Sequence, residues 1–455
     1  MPVQPATIIP APSAEDSARF VPTGSYQGTL EDFDYVEEEW FATGSVDGHE
    51  YRTQLTVRRP RDPARFSGTV LVEPVHAASA APMWIYTSRY QMRSGHAWVA
   101  VCSQKTALDA FVGPTNPDRY ASLDIWTDVA PGEAEVNALA LPRDPAGVQQ
   151  RIERMNRINV LSPAILAQVG AALTSPTNGG PFSDFLVRDA ILMGHSQTGW
   201  VVTKYVLTTH DEQRFADDSP VYHGFFPSGA PSVQFGPRDV PLVQVVSEGD
   251  IAHPSRGPMR VDRGYRRDDS DEPTDRYRLY ELAGAGHMNT RYPPYSENAT
   301  WQIDPTGTAG AVPPDAVMNS LPHGEMFSAS LDHLVHWVTA GVAPPRAPRI
   351  ETGADGMFVK DEFGNSCGGV RCAQMDVPRN RYLPNPGTDP DGMPAFGVVG
   401  IEERLPSATL KQAYLDHQDY VERFSQRVDE LTTEGWLLPA DADEMRAEAE
   451  GATVP

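Results

Sequence analysis

Eight short apolar runs limit how this chain can fold more than any other feature of the sequence. They read EEWFATGSV (38–46), YRTQLTVRR (51–59), GTVLVEPV (68–75), HAWVAVCSQ (96–104), RDAILMGHS (188–196), VYHGFFPSG (221–229), PLVQVVSEGD (241–250) and YRLYELAGAGH (277–287). The first two alternate apolar and polar residues and are adjacent, which suits an antiparallel edge hairpin. The later runs are continuously apolar, as strands are when both faces of a parallel sheet are covered. Helical periodicity falls around 147–172, 200–209 and 325–340. The expectation is an α/β fold with a mostly parallel, eight-stranded sheet and an antiparallel edge.

At 455 residues the chain exceeds what one compact core usually holds. Residues 1–30 read as a loose arm, 31–345 as the main domain and 346–455 as a C-terminal extension packed on the core. Two long segments interrupt the main domain, at about 105–187 and 288–322, and loops of that length commonly line a site. Their aromatics Tyr120, Trp126, Tyr292, Tyr295 and Trp301 point to packed, site-lining segments rather than disorder. No run approaches the roughly 20 apolar residues of a membrane span. The start lacks a basic stretch followed by an apolar one, so the expected location is cytoplasmic. A net charge of −24 argues against nucleic acid or an anionic membrane as partner, because phosphates would be repelled. Of the three cysteines, Cys102 reads as a buried small hydrophobe, and Cys367 and Cys372 as free thiols rather than a bridge. No tight cluster of metal ligands is visible, so neither a metal nor a cofactor is expected. The oligomeric state is not encoded in any feature of the sequence.

The fifth run ends in GHSQTGW (194–200) and passes directly into a helical stretch. Glycine weakens a strand, so Gly194 and Gly199 need a reason. A strand-to-helix elbow supplies one, because small neighbours let backbones approach while Ser196 is held exposed. Such a serine needs a base to take its proton and an acid to orient that base. Both follow in the expected order at the ends of later runs. SEGD offers Glu248 and Asp250, and GAGH offers His287 after a glycine-rich turn. Asp250 lies in the turn beyond its strand and is the favoured acid, with Glu248 as the alternative. His253 follows the acid too closely to face it easily, and His195 adjoins the serine, so its side chain should diverge. An oxyanion hole needs two N–H groups. One is expected from Gln197 and the other from His76 or Ala77, in a loop whose small residues 77–81 leave room for a substrate.

Several segments resemble the large bacterial alpha/beta hydrolase domain family of esterase-like proteins. They include GTVLVEPVHAASAAPMW, GHAWVAVCSQ, PDRYASL, GHSQTG, DRYRLYELAGAGH, HWVTAGVAPPRAP, GNSCGGVR and EGWLLPADADEMRAEA. The likeness covers most of the chain, the extension included. It departs from the family at His76, where an Asn is common, and at Thr198. The resemblance implies an α/β-hydrolase fold and a Ser-Asp-His hydrolase of small carboxylic esters or lactones, carried by Ser196, Asp250 and His287. An acyltransferase or amidase with the same triad, and a hydrolase-fold binding protein without turnover, are the rival readings.

Overall fold

The computed structural model describes residues 2–13, 18–22, 29–77, 82–129, 145–175, 180–231, 233–251, 264–288, 291, 317–384 and 400–454. An eleven-stranded mixed sheet dominates the described residues. Its strands are β1 (Thr7–Pro10), β2 (Tyr35–Val46), β3 (His49–Pro60), β4 (Thr69–Pro74), β5 (Ala97–Val101), β6 (Asp124–Ile125), β7 (Asp189–His195), β8 (Gly224–Ser228), β9 (Leu242–Ser247), β10 (Ser270–Glu272) and β11 (Asp275–Leu282). Across the sheet they run β1-β2-β3-β5-β4-β7-β8-β9-β11-β10, with β6 beside β3. The six strands from β5 to β11 along this path are parallel. The flanking pairs are antiparallel.

The parallel strands are the continuously apolar runs, and the reason is burial. Leu71, Val72, Trp98, Val99, Ile191, Leu192, Phe225, Phe226, Val243 and Val245 are all fully buried. Burying a large apolar side chain contributes about 1.5–3 kcal/mol, so a polar residue at these positions would be strongly selected against in the fold. The hairpin β2–β3 turns at Asp47-Gly48, both with positive φ, as a two-residue turn between twisted strands requires.

Helices cover both faces. The helices α1 (Pro82–Arg93), α2 (Pro145–Ile158), α3 (Ser162–Thr174), α4 (Gln197–Thr208) and α5 (His323–Ala340) belong to the main domain. On one face α1 packs against α5, and on the other α3 packs against α4. The single helix expected over 147–172 is two, because the chain turns at 159–161 and Pro163 starts the second.

The N-terminal arm differs from the loose segment expected. Thr7–Pro10 adds an edge strand to β2, with Val3 and Ala6 buried. The β-branched residues of TIIP fit a pleated edge, and Pro10 closes the strand, where its missing N–H costs little. Tyr120 and Trp126 are packed, but on the hairpin side: Tyr120 donates to Glu39, and Trp126 stacks on His49 with centroids 3.7 Å apart. Tyr292, Tyr295 and Trp301 lie outside the described residues.

Beyond residue 346 a second apolar cluster forms around Tyr420, Phe424, Val428 and Leu431 of α6 (His417–Glu434) and Met445 of α7 (Pro439–Glu450). A small sheet pairs Val317–Met318 and Asn380–Leu383 with Ile401–Arg404. Arg93 and Arg89 of α1 reach Asp441 and Glu444 of α7 at 2.8 and 2.6 Å, so the extension contacts the main domain directly. Cys102, Cys367 and Cys372 are all unbridged. Among the described residues no helix is long and apolar enough to cross a membrane.

Candidate active site

Ser196 stands between β7 and α4 with φ 59° and ψ −123°, a conformation that a side chain rarely adopts. Holding it costs on the order of 1–3 kcal/mol, so neighbouring contacts must impose it. The Ser196 N–H donates to the Ser228 carbonyl at 3.0 Å. Thr198 Oγ1 accepts from the His195 N–H at 3.0 Å and donates to the His195 carbonyl at 2.8 Å, clasping the turn from inside. The two glycines have the steric reason the sequence demanded. A Cβ on Gly194 would lie 2.6 Å from the Thr198 carbonyl oxygen, and one on Gly199 only 2.1 Å from that of Ser228. Thr198, a departure from the family pattern, is thus part of the clamp.

Asp250 arrives on the helical turn Glu248–Ile251 after β9 and His287 on the loop after β11, and the parallel pairing of these strands brings the two together. His287 Nε2 lies 2.8 Å from Ser196 Oγ. His287 Nδ1 is hydrogen-bonded to Asp250 Oδ1. Asp250 is fixed in turn, its Oδ2 accepting from the Ser247 N–H at 2.7 Å while its own N–H donates to Ser247 Oγ at 3.1 Å. Burial pushes the Asp250 carboxyl up, but the adjacent imidazole, the hydrogen bond with it and the Ser247 N–H outweigh this and hold it at about 2. It is therefore ionised at neutral pH.

Glu248, the alternative acid, faces away from His287. Its Oε1 accepts from Lys360 Nζ at 2.9 Å and Ser366 Oγ at 2.7 Å, and its Oε2 accepts from the Gly284 N–H at 2.8 Å. It ties the extension to the turn that carries His287.

At the expected oxyanion position, Gln197 opens α4, so its N–H is among those a helix start leaves without an intrahelical partner. The Gln197 side chain links the elbow to the segments after β4 and β5. Its Oε1 accepts from the Ala77 N–H at 3.3 Å and from Gln104 Nε2 at 3.1 Å, while its Nε2 donates to Gln104 Oε1. Gln104 Nε2 also reaches the Val75 carbonyl at 2.9 Å. The loop with His76 and Ala77 is thereby bound to the elbow. Residues 78–81 and His253 lie outside the described residues.

Four histidines converge here. His76, His195 and His323 are buried around His287. Burial, reinforced by His287, pushes His76 down to about 3 and His195 well below its ordinary value. Burial also pushes His323 down to about 4. Among the described residues no group of three or more His, Cys, Asp or Glu is arranged to hold a metal ion. Thr198, Gln104 and His195 have supporting contacts that the sequence did not reveal. The available signal was position, since each sits at or just past the carboxyl end of a central strand, where open α/β sheets bind ligands.

The family model described as "Alpha/beta hydrolase domain" matches residues 8–447, nearly the whole chain. The chain belongs to this family. Its largely parallel sheet and helical layers are those of an α/β-hydrolase fold. Among solved structures it is similar to the esterase Est22, at 12% identity over 48% of this chain and 66% of that one, with a TM-score of 0.27. It is also similar to a dienelactone hydrolase from Anabaena variabilis, at 13% identity over 54% of this chain and 86% of that one, TM-score 0.27. A third is the poly(3-hydroxybutyrate) depolymerase LpqC from Bordetella parapertussis, at 13% identity over 70% and 93%, TM-score 0.28. No curated protein matches the chain.

Proposed function

We propose that this alpha/beta hydrolase is a serine hydrolase that cleaves carboxylic esters, lactones among them, through a covalent acyl-enzyme. One observation carries the reading: Ser196 Oγ, on a strained elbow, lies 2.8 Å from His287 Nε2. With Asp250 ionised and only able to accept, His287 Nδ1 carries the hydrogen and Nε2 is free to take the serine proton. Ser196 Oγ attacks the ester carbonyl as His287 accepts that proton, and Asp250 stabilises the resulting imidazolium. Negative charge develops on the carbonyl oxygen, opposite the Gln197 N–H at the positive end of α4. The second donor is assigned to the His76–Ala77 loop, which the 3.3 Å contact of the Ala77 N–H with Gln197 Oε1 holds beside the elbow. The protonated His287 gives its proton to the leaving alcohol. Water then attacks the acyl-enzyme by the reverse route, with His287 again the base.

An ester and lactone panel, with alcohols and amines offered as acceptors, tests this on the purified protein. Hydrolysis that falls by about 10⁶-fold in Ser196→Ala is the expected result, with an unchanged melting temperature. Retention of a tenth of the wild-type rate would remove Ser196 as nucleophile. Acyl transfer outrunning hydrolysis would move the assignment to an acyltransferase.

A further inference from the structure

The histidine beside the nucleophile is not idle. His195 Nε2 lies 2.9 Å from the carbonyl oxygen of His287 itself. A carbonyl only accepts, so this nitrogen carries the hydrogen. Its Nδ1 faces Ser228 Oγ at 3.0 Å. The buried ring is neutral, so Nδ1 is an acceptor, and the single hydrogen of the Ser228 hydroxyl is shared between it and the Gly194 carbonyl, each 3.0 Å away. The His195 and His287 rings stack with centroids 4.7 Å apart at 28°. Tyr86 and Phe327 close on His195 edge-on at 5.3 and 5.5 Å. The ring is therefore held by both packing and hydrogen bonding.

Resting on the triad reading above, we propose that His195 is a positioning residue for His287, acting through the His287 backbone carbonyl. The base stands on a turn that contains Gly284 and Gly286, and Gly284 has φ +69°. A turn of that composition leaves the backbone freer than a strand would. The nucleophile, in contrast, is fixed at the end of β7. The His195 side chain leaves β7 one residue before Ser196 and seizes the base's own peptide group. Nucleophile and base are thus referred to one strand, and their separation does not depend on the glycine turn alone. Displacement of a reacting group by about 1 Å can cost about 10²-fold in rate, and that is the loss His195 prevents. The neighbouring imidazole also adds no charge beside His287 when that ring becomes cationic.

Three substitutions separate this role from packing. In His195→Gln the amide nitrogen falls where Nε2 was and can still donate to the His287 carbonyl. His195→Asn places its amide nearer the Nδ1 position and loses that donor. His195→Phe keeps a ring without any donor. The readouts are labelling of the full-length protein by a fluorophosphonate, resolved into its maximal rate and its half-saturating concentration, and kcat and KM on a short-chain p-nitrophenyl ester. Expected is a Gln variant within about 10-fold of wild type, and Asn and Phe variants about 10²-fold lower in kcat and in maximal labelling rate. KM and half-saturation should stay within about threefold. Equal rates for Gln, Asn and Phe, or a loss confined to KM, overturn the proposal. Should His195→Phe fail to fold, the Gln–Asn contrast decides alone. Ser196→Ala keeps the two readings apart. If it abolishes labelling and turnover while His195→Phe matches wild type, only the positioning role fails. If it retains both, the triad reading fails and takes this proposal with it.

Discussion

Asp250 and Glu248 are two residues apart on one helical turn, both are buried, and the residues they face assign them different work. Asp250 holds the His287 ring, whereas Glu248 holds Lys360, Ser366 and the Gly284 N–H. Asp250→Asn replaces an acceptor by an amide that can impose the wrong imidazole tautomer, so kcat should fall by about 10⁴-fold. Glu248→Gln keeps the shape but loses the charge opposite Lys360 and one acceptor. It should lower stability by about 1–3 kcal/mol and leave most of kcat at temperatures where the protein is folded. Steady-state kinetics with thermal melts on both variants checks this, and a dead Glu248→Gln beside an active Asp250→Asn would exchange the roles. The sequence already ranked these two carboxylates by their distance from the strand end. It could not show that Glu248 has a second task, because Lys360 and Ser366 are more than a hundred residues away. Nor could it show that His195, set aside as a base for pointing away from Ser196, points at the carbonyl of His287.

The elements that place the site are held by close backbone approach, and Gly199 is where α4 meets β8. A Cβ there would lie 2.1 Å from the Ser228 carbonyl oxygen, the same oxygen that accepts from the Ser196 N–H. Gly199→Ala must push the helix off the strand or break the elbow's own hydrogen bond. The expected cost is about 1–3 kcal/mol or more, with a fall in kcat because the elbow moves. Gly341→Ala is the control. That residue caps α5 at φ +68° with nothing within 4 Å of its Cβ position, so it should cost about 1–2 kcal/mol and leave kcat unchanged. A Gly199→Ala enzyme with wild-type melting and rate would show that the contact relaxes freely. At this scale the sequence was clearest where burial was complete. The parallel strands announced themselves as unbroken apolar runs, and Gly194 and Gly199 as breaks that needed an explanation. The short strands β1, β6 and β10 were not legible, since two to four residues are too few to show a period. They exist because longer strands offer them an edge. The split between α2 and α3 was hidden by apolar periodicity that continues across the turn.

For the whole molecule, the buried histidines set how it responds to acid. Burial holds His76 at about 3, His96 at about 4 and His323 at about 4, and with His287 it holds His195 well below its ordinary value. In the unfolded chain each titrates near 6.5. Their folded values are depressed, so the stability they confer is fully present above about 6.5. It is lost as the pH falls toward the folded values, because only the unfolded chain takes up the protons. Glu73 works the other way. Its carboxyl lies under the start of α1, accepting from the Met83 and Trp84 N–H groups and from Trp98, and burial pushes it up to about 7. Between its unfolded value of 4.5 and about 7, the folded form holds a proton that the unfolded form has released, which cancels one histidine. Unfolding between pH 6 and 5 should therefore take up a net several protons, each worth about 1.4 kcal/mol per pH unit. Against a total stability of about 5–15 kcal/mol, that unfolds the protein within a few pH units of neutrality, before most surface carboxylates titrate. Denaturant unfolding at pH 7, 6 and 5 measures the slope, and a free energy that stays flat over this range would refute the account. His96→Gln isolates one contribution. His96 contacts Ser67 and Tyr90 and is remote from the Ser196 elbow in its hydrogen bonds, so the variant should keep its activity. Its stability at pH 7 should change by less than its slope does, because the slope must drop by about one proton, or about 1.4 kcal/mol per pH unit. If the slope were unchanged, the acid sensitivity would have to come from other groups, and His210, His223 and His333, which burial also pushes down, would be next to test.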